Sequence, residues 1–250
     1  MKRVLAFLLS SLPFFAMAAD YQSTLLVQTG KLRESDLVVR TVTDLESSKI
    51  CLAFYVRTVG TSPVMNCFDA GSGFRSRIGQ TGHFIEGKLV VRKIKDSVNN
   101  YACLVAYVST KGTSPATACY KSREAAKDDI VRKGHLREGD LDVYRIVDSD
   151  SMNTCLVTYV NTGSTSPSLV CYGGEEGPSG GGLVQTSYMR EGDLVVRKII
   201  DEGSRKECLV AYVSTEGTSP AVYCSAWLSA PEPAPAAKAP PAGQAGFPRD

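Results

Sequence analysis

The segment CLVAYVSTEGTSPAVYC, residues 208–224, carries a cysteine at each end, two apolar runs and a Gly-Thr-Ser-Pro break between them. It is nearly duplicated as CLVAYVSTKGTSPATAC at 103–119, and the frame recurs as CLAFYVRTVGTSPVMNC at 51–67 and CLVTYVNTGSTSPSLVC at 155–171. Further out, the phrases LRESDLVVRTV, FIEGKLVVRKI, LREGDLDVYRI and MREGDLVVRKI begin at 32, 84, 136 and 189. Both series step by 52, 52 and 53 residues, so the chain spells one unit four times. A fixed period of this size marks a repeat architecture in which each unit buries its apolar face against its neighbours. The one extra residue falls between Cys171 and Met189, in the glycine-rich YGGEEGPSGGGLVQTSY.

Each unit holds four strand candidates: a short one around LVQT (26–29 and 183–186; IGQT at 78–81 and IVRK at 130–133), then DLVVRKI, CLVAYV and PAVYC. Val, Ile, Tyr and Thr fill them, while Gly, Ser, Asp and Pro fill the breaks. REAAKDD (123–129) suits a short helical turn, but nothing recurs at a helical period, so the class is all-β.

Counting inward from Cys208 and Cys224 meets at Glu216, so a hairpin centred on Thr215-Glu216-Gly217 sets the two cysteines opposite each other. A three-residue loop wants positive φ at its third residue; Gly60, Gly112 and Gly217 stand there, while Ser164 departs from the pattern. Pro63, Pro115, Pro167 and Pro220 follow and lack the ladder donor, so pairing near the tips is expected to be irregular. Equivalent units should pair equivalently, which predicts the disulfides Cys51–Cys67, Cys103–Cys119, Cys155–Cys171 and Cys208–Cys224. Zinc ligation fits poorly, because it favours closer cysteine spacing and a reducing compartment.

In CLVAYV both faces are apolar, which places the strand between stacked sheets. Four tandem units of about 52 residues, spanning roughly 24–72, 76–124, 128–176 and 181–228, suit a four-bladed β-propeller-like ring. The alternative is a row of small disulfide-braced barrels, since GDLVVRKI followed by CLVAYV looks like the strand pattern of SH3-like domains. A third arrangement pairs the units into two sandwiches.

Residues 1–18 read as a secretory signal peptide: Lys2 and Arg3, an apolar run from Val4 to Phe15, then Ala16-Met17-Ala18. The run is too short to span a bilayer, so no membrane insertion is expected after cleavage. The repeat domain fills 19–228, and the Pro/Ala-rich 229–250 reads as a disordered tail. Without Lys2 and Arg3 the chain balances 26 basic against 26 acidic residues, which argues against nucleic acid as a partner. The expected location is the periplasm or the exterior.

Catalytic groups are scarce. His83 and His135 share one register and read as surface histidines; no cysteine is left over as a nucleophile. Asp44, Asp96, Asp148 and Asp201 recur at the end of the second strand, and Glu34, Glu86, Glu138 and Glu191 before it. They read as turn residues rather than as a calcium site. Arg40, Arg92 and Arg197 share a strand position with Tyr144 and are expected to pair with acids, while Tyr55, Tyr107, Tyr159 and Tyr212 read as core residues with a tethered hydroxyl. Unit three departs most, at Asp142, Tyr144 and Ser164, without assembling an acid–base pair. Neither a cofactor nor a resident metal is implied.

The expectation is an exported, non-enzymatic repeat protein that binds a protein or glycan of the envelope. The braced tips supply the candidate partner-binding residues: Thr61, Ser62, Thr113, Ser114, Thr165, Ser166, Thr218 and Ser219. A carbohydrate-active hydrolase built on the recurring acids is the alternative, and a protease inhibitor presenting the tips is a third.

Overall fold

The computed structural model describes residues 26–70, 74–122, 129–173 and 181–226. The stretch read as a signal peptide, the Pro/Ala-rich 229–250, and the segments 123–128 and 174–180 lie outside these residues. Each unit is one antiparallel meander of four strands, paired in chain order. The first sheet is β1 (Leu26–Glu34), β2 (Leu37–Asp44), β3 (Lys49–Val56) and β4 (Val64–Asp69); the second is β5 (Ile78–Glu86), β6 (Leu89–Asp96), β7 (Tyr101–Val108) and β8 (Ala116–Lys121). The third is β9 (Ile130–Glu138), β10 (Leu141–Asp148), β11 (Asn153–Val160) and β12 (Ser168–Gly173); the fourth is β13 (Leu183–Glu191), β14 (Leu194–Asp201), β15 (Lys206–Val213) and β16 (Ala221–Ala226). Among the described residues no sheet closes into a barrel.

All four disulfides join the cysteines of one unit, at directly opposed positions of the third and fourth strands. Their Cα atoms lie 4.0 to 4.1 Å apart. No free cysteine remains, so the chain belongs to an oxidising compartment, periplasmic or extracellular.

The hairpins are centred where the sequence puts them, but their ladders stop early. In the second unit the last pair is Ala106↔Ala116, which leaves nine residues in the connection instead of three. Two local causes end the ladder. Pro115 lacks a donor, and the Thr113 hydroxyl donates to the Val108 carbonyl at 2.6 Å, taking an acceptor at the strand end. Gly60, Gly112 and Gly217 hold φ of 79° to 82°, and Ser164 adopts φ of 59° at the equivalent point. The tip geometry thus overrides the residue that departs from the pattern.

Each sheet has a leucine face and a cysteine face, and the sheets stack so that the leucine face of one meets the cysteine face of the next. In the first seam, Leu37, Leu52, Phe54 and Val56 pack on Cys103, Val105 and Tyr107. In the middle seam, Leu89, Leu104 and Val108 pack on Cys155, Val157 and Tyr159. In the last seam, Leu141, Leu156 and Val160 pack on Cys208, Val210 and Tyr212. The order is that of successive propeller blades, with first strands approaching first strands and last strands approaching last strands across every seam.

The stack ends open. The leucine face of the fourth sheet leaves Leu194 at 40 % and Leu209 at 45 % exposure, whereas Leu104 and Leu156 at the position of Leu209 are fully buried. On the first sheet the cysteine-face residues Cys51, Ala53 and Tyr55 are only half-buried. Covering on both faces, expected for every CLVAYV strand, is therefore a property of the two inner sheets.

Candidate functional site

Three seams built from one repeat can be compared atom by atom. At the last seam Tyr212 donates its hydroxyl hydrogen to Asp140 Oδ1 at 2.7 Å and accepts from Arg197 Nε at 3.1 Å, while Arg197 Nη1 donates to Gln185 Oε1 at 2.6 Å. At the first seam Tyr107 donates to Asp36 Oδ1 at 2.9 Å and accepts from Arg92 Nε at 3.0 Å, and Arg92 also bonds Gln80. Each relay ties a turn aspartate of one sheet to a Tyr–Arg–Gln row on the next. Burial pushes both Tyr107 and Tyr212 up to about 12, and the facing carboxylates act in the same direction. The arginines thus pair with Tyr and Gln rather than with the recurring acids. The glutamine signal was present in the LVQT and IGQT echoes.

The middle seam replaces this relay as a set. Lys88 stands in the turn where the other seams have Asp36 and Asp140; Tyr144 replaces the arginine, Arg132 the glutamine, and Asp142 a valine. The outcome is a cleft of about 350 Å³ lined by Glu86, Lys88, His135, Arg137, Asp142 and Tyr144, with Gly87, Tyr159 and Asn161 completing it. The two-residue turn at Gly139-Asp140 fixes the β9–β10 register, which sets His135 opposite Tyr144 and Arg137 opposite Asp142. His135 Nε2 lies 2.9 Å from Asp142 Oδ1, and its ring stacks on Tyr144 with centroids 4.3 Å apart and planes 8° apart. Tyr159 lies parallel beyond Tyr144 at 6.2 Å. Burial, together with the facing Tyr159 and Asp142, raises the Tyr144 hydroxyl well above the ordinary tyrosine range.

His135 is exposed, as expected of a surface histidine, and Asp142, one of the departures of unit three, is bonded to it. The cross-strand register of that hairpin would have revealed the pair, whereas comparison of His135 with His83 could not. His83 is exposed on β5, opposite Arg92. Among the described residues no three His, Cys, Asp or Glu side chains converge as a metal centre.

The recurring aspartates do cap turns. Asp44 accepts from the Glu46 amide at 3.0 Å and the Ser47 hydroxyl at 2.6 Å, which holds its carboxyl below the ordinary range. Two of them also anchor seams. Lys93 Nζ of the second sheet donates to Asp148 at 2.7 Å and to Asp150 at 3.3 Å, with all three side chains fully buried. Arg145 Nη1 donates to Asp201 Oδ1 at 2.6 Å across the last seam. At the first seam Thr41 meets Ser76 at 3.3 Å, and Ser76 donates to Asp96 at 2.8 Å.

The tip residues are engaged within the stack. Thr61, Thr113, Thr165 and Thr218 all donate their hydroxyls back to the carbonyl five residues earlier, and Thr113 and Thr165 are buried. The Ser62 amide donates to Ser114 Oγ at 2.9 Å and the Ser114 amide to Ser166 Oγ at 2.7 Å, so the serines form a ladder along the stack. Ser219 lies exposed on the last tip.

Comparison with protein-family models, curated proteins and solved structures finds no match for this chain.

Proposed function

We propose that this is an exported, non-enzymatic repeat protein that binds a glycan of the cell envelope in the cleft of its middle seam. The observation that carries the reading is the concerted change at that seam, where a closed Tyr–Arg–Gln relay gives way to a cleft with a stacked aromatic wall. Its volume is in the range of small-ligand sites. Glu86 and Asp142 offer acceptors, Lys88, Arg137 and Asn161 offer donors, and the His135–Tyr144 stack offers an aromatic face beside them. Alternating donors and acceptors beside an aromatic face suit a sugar ring, with its hydroxyls at the edge and its C–H bonds on the face. The four disulfides and the signal-like first 18 residues support delivery to the envelope.

Titration of the protein with envelope oligosaccharides, followed by calorimetry, tests this. Asp142→Asn and the exposed His135→Ala are expected to weaken binding at least about tenfold, the cost of one lost charged hydrogen bond or one aromatic contact, with the melting temperature little changed. Absence of binding to any oligosaccharide of the envelope would overturn the reading.

One observation favours a hydrolase as the second reading: Glu86 and Asp142 line the same cleft from different sheets. Two carboxylates flanking a sugar are the groups glycoside hydrolysis uses. Release of new reducing ends, abolished by Glu86→Gln, would establish it over simple binding.

A further inference from the structure

We propose that the exposed leucine face of the fourth sheet takes the exposed cysteine face of the first sheet of a second copy, so that the protein assembles head to tail into an open stack. Every internal seam joins a leucine face to a cysteine face, and the chain ends with one unused face of each kind. Among the described residues no strand of the first sheet packs on a strand of the fourth, and both faces stay accessible, so one copy does not join its own ends. A stack of repeats that stops at solvent requires polar caps. The cap on the fourth sheet is partial: Glu207 stands beside Lys198 where the other sheets have Ile50, Ala102 and Thr154, but Leu194, Leu209, Val213, Met189 and Tyr223 on this face are all between 38 % and 69 % exposed.

The polar groups at the two ends occupy the positions from which the inner sheets bond across their seams. Asp193 is exposed in the turn position where Asp36 and Asp140 accept from Tyr107 and Tyr212. Tyr55 holds the position of those tyrosines, with Arg40 Nε 3.5 Å from its hydroxyl and Gln28 bonded to Arg40. Apposed copies complete the relay, Tyr55 of one donating to Asp193 of the other. Lys198 is equivalent to Lys93 and Arg145, whose partners are Asp148 and Asp201; in the free chain Lys198 bonds Glu207 of its own sheet at 2.8 Å. Its counterpart across the new seam is Asp44. The serine ladder continues as well, the Ser219 amide meeting the Ser62 hydroxyl. Because the joined faces differ, the contact is heterologous and does not close after two copies.

Sedimentation velocity of the full exported chain across a concentration series, with electron microscopy of the concentrated sample, tests the proposal. Masses are expected to rise through integer multiples, ending in unbranched rods. Leu209→Glu, an exposed change outside the internal seams, is expected to lower the association constant at least about 100-fold by placing an unpaired charge in the joint, with an unchanged circular dichroism spectrum. Lys198→Asp alone and Asp44→Lys alone are each expected to stay monomeric, and an equimolar mixture of the two to assemble, since each then meets an opposite charge. A monomer at all concentrations, association unaffected by Leu209→Glu, or two charge variants that stay apart on mixing would each overturn the proposal. Association that begins only when residues 229–250 are deleted would assign the leucine face to the tail and overturn it equally. None of these outcomes depends on a ligand in the middle-seam cleft.

Discussion

Lys93 is the residue on which the centre of the stack depends most directly. Its ammonium is fully buried with Asp148 and Asp150, and Lys95 adds a bond to Asp150 at 3.3 Å. Burial alone would raise the Asp150 carboxyl, but the Ser122 hydroxyl and the two lysines lower it overall. Replacing one partner of such a group costs far more than exchanging the whole group for apolar residues. Lys93→Met is therefore expected to cost about 3–5 kcal/mol in urea unfolding. The triple variant that adds Asp148→Asn and Asp150→Asn should recover most of the loss. Little of this cluster was legible in the sequence. Asp148 was visible as a recurring turn residue, but its partner differs in kind at every seam: Thr41, Lys93, Arg145 and Lys198 share one position. A search for sameness between units passes over residues that matter because they differ in step with the next unit.

At the scale of the element, what the sequence made legible is the hairpin. The cysteines at each end, the glycine at the tip and the proline after it determine register, crosslink and centre together, because each is a local constraint on one strand pair. What it left hidden is which hairpins are covered, since that depends on position in the stack and not on the residues of the hairpin. The four disulfides are chemically alike but differently sheltered. Cys103, Cys155 and Cys208 are fully buried, whereas Cys51 is half-buried and Cys67 exposed. Thiol–disulfide exchange needs access of the attacking thiolate. Brief treatment of dilute protein with a mild reductant, followed by alkylation and mass mapping, is expected to label Cys51 and Cys67 first. Uniform labelling of all eight cysteines would contradict the burial order.

At the scale of the whole molecule, the described sheets pack in chain order, each seam joining one sheet to the next, and stability is approximately the sum of units and seams. Repetition announced the number of layers and their composition. It did not announce the middle-seam cleft, which arises where Lys88, Arg132, Asp142 and Tyr144 change together. That joint change also fixes the sequence of the modules. Exchanging the second and third units would set Lys88 beside Arg197 at one boundary and Asp36 beside Asp142 at another, each a like-charge encounter where an opposite one now stands. Such a shuffled gene should yield a chain that unfolds at lower urea than the natural order despite identical composition. The quartet is thus a sentence rather than a chant: its words are nearly synonymous, yet only one syntax lets each of them agree with the next.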